Sequence, residues 1–480
     1  MSAGFKVGAI LIYVAVITVI ALWCGKGNKT FKDFAIGGAK IPWFIMAGTL
    51  FSTFCGGATM VAYVGNFYSQ GMIWLWIPIQ VSLVGLIYLI ICKRIFNMRQ
   101  ISTADIMACR YGESTRLLSS VVVMIAEVGM VAAMMSTFAV MVTTYVGLSR
   151  PVALGLAVVL FIATAALGGY KGVATTDALQ GLVILFGLSM GLIIFSSQAG
   201  GIPSVFEIAG PEKRSIFSTA NGCSFITIFG TFVSSFGMHM ALQSGYVSRI
   251  NSVGTLSEAR KGLTTYVICI TFAFAFCVPI IGLSAIPLLG DGVPGDAVIG
   301  TMLSKFMSPA VSCVYVAAIV SAVLTTANSS LLSASICITH DLYKNIINPG
   351  ASDKTQLFVS KTAIVILTII ALCITQYFST IISMMFVTYT INALIAIPLF
   401  AGLYSKRGGA TAAKLSLGLG IVSVLIWVLL GSPFGIHVAI VGLPTALVGY
   451  ILGMIFGAKP TPEQMAVVDR VAADRLPENA

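Results

Sequence analysis

The stretch SAVLTTANSSLLSASICITHDLYK, Ser321 to Lys344, ends an apolar helix with Ser321, Thr325, Thr326, Asn328, Ser329, Ser330, Ser333 and Ser335. The rest of the chain avoids polarity. Of 480 residues 58% are hydrophobic and only 9% charged, against roughly 25% charged in a soluble domain, and the mean hydropathy is +1.00. Many uncharged runs reach the length of about 20 residues that crosses a bilayer core as a helix. The composition therefore specifies an all-α polytopic membrane protein and excludes a soluble fold. Within the quoted stretch, Thr325 and Thr326 follow Ala322 by three and four residues, about one helical turn, so one carbonyl and two hydroxyls share a face. Oxygen ligands without fixed charge suit a hard monovalent cation held weakly enough to leave. The alternative is that these hydroxyls bond back to their own helix or to a neighbour.

Hydropathy marks spans near 5–24, 41–68, 72–92, 117–146, 151–168, 175–197, 223–248, 262–288, 308–337, 358–378, 381–404, 411–430 and 437–457, which makes about 13 transmembrane helices. Of the 27 Lys and Arg, all but Lys6, Arg150, Lys213, Arg214 and Lys305 fall in loops of one side. The positive-inside rule makes that side cytoplasmic, with the N-terminus outside and the C-terminus inside. The net charge of +11 is this asymmetry and gives no reason to expect a nucleic-acid partner. The first apolar run ends in a loop rather than a small-residue cleavage site and reads as a retained span. The ten cysteines lie in or beside apolar runs without ligand spacing and behave as small hydrophobes. Segments 198–222 and 287–307 are the long outer loops, placed to cover an entrance, and the tail after Gly457 is expected to be a mobile end.

Two spans read as interrupted. In LFSTFCGGATMVAYVGNFY (Leu50–Tyr68), Gly56 and Gly57 fall in mid-span, where a glycine pair weakens the helix and frees carbonyls; close packing through small residues explains them equally. The other is the quoted stretch. Broken helices meeting near the midplane point to the ion and substrate site of a secondary transporter.

GGYKGVATTDALQG (Gly168–Gly181), the quoted stretch and LFSTFCGGATMVAYVGNFYSQG together resemble, in order and spacing, the sodium/solute symporter family. The resemblance implies the leucine-transporter fold, a core of two inverted five-helix repeats. Here the division would be 1–40 as an extra N-terminal helix and cytoplasmic loop, 41–197 and 223–404 as the repeats, 198–222 as an extracellular loop, 405–457 as two extra helices and 458–480 as a cytoplasmic tail. It implies inward sodium movement coupled to uptake of a small organic solute by alternating access. The main sodium site would use backbone carbonyls of Ser52, Cys55 and Ala322 and the hydroxyls of Thr325 and Thr326. A second sodium site would map to Asp177, Asn328 and Ser329, where Asn328 departs from the hydroxyl residue of the family.

The segment around Glu127 and the pattern Thr53-Phe54-Cys55-Gly56-Gly57 look somewhat closer to the choline-type branch than to the sugar branch. A sugar site is a poor fit, with Ile73 at the acidic place of the glucose-type branch. A quaternary ammonium needs an aromatic cage, and the matching places hold Phe54, Met130, Val81 and Gln243. Glu127 within a span is a functional candidate by default, or else pairs with a buried group. His239 lies midway along the seventh span and is assigned to the pocket over the alternative of a satisfied core histidine. Arg249 is read as a cytoplasmic anchor. Phe54, Thr59, Met60, Trp76, Gln80, Glu127, Met130, His239, Gln243, Tyr389 and Asn392 are expected to form a small pocket for an organic acid, amino acid or related metabolite. Sodium and the solute are the expected partners, with the lipid bilayer around a chain working as a monomer. The rival readings are a proton-coupled symporter with Glu127 or Asp177 as carrier, and a transporter-like sensor; no motif supports an enzyme.

Overall fold

The computed structural model describes residues 3–25, 41–98, 100, 102–220, 224–241, 244–378, 380–433 and 436–472, and among them every regular element is helical. Helix α1 (Ala3–Gly25) precedes a broken span: α2 (Trp43–Phe54) stops at Cys55, and the chain resumes as a π-helical turn, Thr59–Tyr63, that continues into α3 (Val64–Gln70). The chain turns at Gly71, whose φ of 81° favours glycine, into α4 (Trp76–Met98). The short α5 (Thr103–Tyr111) leads to α6 (Glu113–Met141). One helical run, α7 (Arg150–Gln198), follows. It holds two antiparallel spans. Arg150 Nη2 donates to Thr375 O and Gln198 Nε2 to Phe306 O, so both ends lie at one face. Tyr170 and Ala174, midway along, pack with Leu332 and Ile336 toward the other.

After α8 (Ile202–Arg214), α9 (Phe225–Met240) ends at Ala241 and α10 (Ser244–Ile250) follows. Next come α11 (Leu256–Phe272), a π turn Ala273–Cys277, α12 (Val278–Leu289) and α13 (Val298–Phe306). Helix α14 (Pro309–Ile336) runs on as a π helix, Cys337–Ile347, and is followed by α15 (Asp353–Ile374), α16 (Ile381–Ala393) and α17 (Ala396–Tyr404). Helices α18 (Ala410–Leu429), α19 (Val438–Phe456) and α20 (Pro462–Ala472) end the described chain. Eleven runs are long and apolar enough to cross a membrane, and the shorter apolar helices Trp43–Phe54 and Arg150–Ala166 add the half-span and the first arm of the α7 hairpin.

Two expectations are corrected. The helix expected to break within Ser321–Lys344 runs on without a stop, and changes only from α to π at Cys337. The second break falls instead between α9 and α10. The tail is not a mobile end over residues 462–472: α20 packs on α4 and α5 with Val468 and Val471 buried, Asn97 Nδ2 reaches Val471 O, and Lys406 Nζ pairs with Asp469 at 2.8 Å. The segments 198–220 and 287–307, expected as long outer loops, pack on α3, where Lys213 Nζ donates to Tyr68 O and a Cβ on Gly65 would strike Gly295 O at 2.1 Å.

Candidate functional site

The end of α2 leaves carbonyls without intrahelical partners. Cys55, with φ −86° and ψ 60°, carries the break, and its N–H takes Phe51 O. The next two carbonyls turn to α14: Thr325 Oγ1 donates to Ser52 O at 2.8 Å, and Thr326 Oγ1 to Thr53 O at 2.8 Å. Both hydroxyls also lie near Ala322 O, at 3.3 and 3.0 Å. Three carbonyl oxygens thus share two hydroxyl protons, so acceptors exceed donors. Such a surplus of buried, uncharged oxygens fits a small cation. Gly56 allows the approach, since a Cβ there would lie 2.8 Å from Thr326 Oγ1. Ser52, Ala322, Thr325 and Thr326 are brought together, whereas the carbonyl that meets Thr326 is that of Thr53, two residues before the expected Cys55.

Of the three residues mapped to a second ion, Asp177 and Ser329 meet while Asn328 turns away. Asn328 Oδ1 accepts from Thr164 Oγ1 at 2.8 Å. Asp177 Oδ2 accepts from Thr49 Oγ1 at 2.8 Å and lies 3.5 Å from Ser329 Oγ. Arg249 enters this knot rather than anchoring at the surface, which corrects its sequence reading. It is buried, its Nη2 stands 3.5 Å from Asp177 Oδ2, and it donates to Ser329 Oγ, Thr53 Oγ1 and Thr49 Oγ1 at 2.7, 2.8 and 3.1 Å. Arginine's five donors explain why one side chain ties α10 to α2 and α14.

A cavity lies beside the break. Phe54, Thr59, Met130, His239 and Tyr389 line it, as does Val81. Met60, Trp76, Gln80, Glu127 and Asn392 are absent from the lining; Gln243 lies outside the described residues. Trp76 Nε1 turns outward to Ile216 O, and Gln80 Nε2 is held by Ser235 Oγ at 2.6 Å. The other lining residues include Tyr63, Met134, Met238, Phe274, Ser330 and Met385. Tyr63 and Phe274 each sit in a π turn, a deformation common at functional sites and not legible in composition. Met134 stands one turn after Met130, the spacing that could have found it. At one end the hydroxyls of Tyr63 and Tyr389 are 3.5 Å apart. At the other Phe54 stacks on Tyr246 at 4.3 Å, and Tyr88 meets Tyr246 in a tilted pair at 4.1 Å. His239 Nδ1 donates to Ser235 O at 2.7 Å, leaving Nε2 as acceptor in the neutral ring.

The arrangement matches known transporters along its length. Similar chains include the osmoregulated proline transporter of Bacillus subtilis (strain 168), 22% identical over 462 residues covering 93% of this chain and 92% of that one. The high-affinity choline transporter 1 of Caenorhabditis elegans is 24% identical, covering 87% and 77%. A sodium-coupled sialic acid symporter, solved in a substrate-bound outward-open state, superposes with a TM-score of 0.80 at 19% identity, over 94% of this chain and 98% of that one. The model of the sodium:solute symporter family matches residues 34–420, so the chain belongs to that family and is a sodium-coupled solute symporter with the leucine-transporter fold.

Proposed function

We propose that the protein takes up a small zwitterion of amino-acid or betaine type together with one sodium ion. The observation that carries this is the lining of the cavity: Phe54, Tyr63, Phe274 and Tyr389 supply aromatic faces, four methionines supply polarizable walls, and no charged side chain takes part. Aromatic faces attract an ammonium group. The amide groups that open the helix after Gly56 attract a carboxylate. A solute with both charges needs no charged side chain, whereas a simple organic anion would bring an uncompensated charge. A hexose would leave hydroxyls unpaired against methionine. The aromatic content also revises the single-aromatic cage read from the sequence and keeps choline-type chemistry in view.

Sodium in this reading binds Ser52, Thr53 and Ala322 carbonyls with Thr325 and Thr326. Arg249 Nη2, 3.5 Å from Asp177 Oδ2, supplies a counter-charge there, which supports one ion per cycle rather than two. The repeats are assigned to 41–197 and 223–404, with the C-terminus cytoplasmic and the monomer as the working unit. The test is uptake by proteoliposomes with and without a sodium gradient, using L-proline, glycine betaine, succinate and glucose. Saturable, sodium-dependent uptake of either zwitterion supports the reading; uptake of succinate or glucose alone overturns it.

A further inference from the structure

A groove outside the transport path opens between α2, the second arm of α7 and α11. Its walls include Phe44, Ala47, Gly48, Leu179, Leu182 and Leu185, almost all apolar. From Thr175 to Leu185 the wall rises about 15 Å, a large part of one leaflet's half of the hydrocarbon core, itself roughly 30 Å thick across both leaflets. A second concavity adjoins it. Ser257, Arg260, Lys261 and Thr264 line it, and Trp43 and Thr265 belong to both. Arg260 and Lys261 are exposed on the first turns of α11. Glu258, the acidic residue of that stretch, is engaged in the capping box with Thr255. An apolar slot within the membrane thus ends, at the shared Trp43, in two cations and two hydroxyls.

We propose that this groove binds one anionic glycerophospholipid of the cytoplasmic leaflet. Its phosphate would lie on Arg260 and Lys261 and one acyl chain in the slot beside Gly48 and Leu182. Basic pockets between helix ends on the cytoplasmic side suit such headgroups, and a tryptophan at the junction suits the interface. The assignment of leaflet rests on the orientation inferred above. The site bears on transport because α2 forms its wall and ends in the Ser52 and Thr53 carbonyls. Gly48 meets Ala178, where an added Cβ would lie 2.8 Å away. A chain lodged there braces α2 against α7 and thereby holds the sodium oxygens in place.

The experiment is native mass spectrometry of the full chain released from nanodiscs of equal phosphatidylglycerol and phosphatidylcholine. Wild type should retain phosphatidylglycerol at least five-fold over phosphatidylcholine. The Arg260→Gln/Lys261→Gln variant should lose that preference, and Lys354→Gln/Lys361→Gln, on another cytoplasmic surface, should keep it. In thermal-shift titrations, the sodium concentration for half-maximal stabilisation should be at least two-fold lower in phosphatidylglycerol discs for wild type and equal in both discs for Arg260→Gln/Lys261→Gln. Equal retention of the two lipids, retention unchanged in that variant, or displacement by millimolar inorganic phosphate would overturn the site. Loss of the adduct with the sodium response unchanged would overturn its link to α2.

Discussion

Thr326, like Thr325, meets two carbonyls from two helices, and both are ligands of the proposed sodium site. On that proposal Thr326→Ala removes a ligand and should raise the sodium concentration for half-maximal uptake at least several-fold; Thr326→Ser keeps the oxygen and should stay near wild type. Sodium titration of uptake at fixed solute decides between an ion ligand and a packing residue. At Arg249 the expectation concerns stability first. Arg249→Gln leaves Asp177 buried without its counter-charge, a loss on the order of 3–5 kcal/mol. The double variant with Asp177→Asn should recover part of it, as read by thermal unfolding. In wild type the sodium Hill coefficient should be one, and a coefficient near two would restore a second ion.

At the scale of elements, the break in α2 works because no side chain intervenes between Gly56 and Thr326. Gly56→Ala would put a methyl 2.8 Å from Thr326 Oγ1, shorter than a normal contact. Sodium affinity should therefore fall at least as far as in Thr326→Ala, in a protein that still inserts. Helix α5 is held differently. Burial alone would push the Asp105 carboxyl up from its ordinary 3.8, but the hydrogen bonds and charges of His340 and Arg116 outweigh it and hold it at about 2. A carboxylate depressed on folding stabilises the protein above its unfolded value and loses that contribution as pH falls through the folded one. Asp105's contribution to the contact between α5, α6 and the π-helical Cys337–Ile347 should be complete above about pH 4 and be lost between about pH 4 and 2. Asp105→Asn should remove that acid limb from a plot of thermal stability against pH.

For the whole molecule, the face that carries α5 is covered partly by α20, which packs on α4 and α5. Deleting residues 458–480 should cost on the order of 3 kcal/mol from uncovering the Val468 and Val471 contacts, measurable as a lower thermal midpoint. Sodium affinity should be unchanged, since α20 is remote from Ser52 and Thr325.

The membrane class, the spans and the transport family follow from the chain alone, because a bilayer demands long apolar helices and penalises every polar side chain inside them. The hydroxyls of Thr325 and Thr326 were legible for that reason: polarity at that depth is costly and so stands out. The break at Gly56 was legible too, through its glycines. What composition could not carry was convergence. Arg249 reads as an ordinary positive-inside residue until α10 is seen to turn it onto Asp177, and Asn328 reads as a ligand until Thr164 is found beside it. Tyr63 and Phe274 reach the cavity through π turns, which depend on packing rather than residue type. Only the tertiary structure decided these points, since hydrogen-bond partners far apart in sequence are chosen by which helices lie side by side.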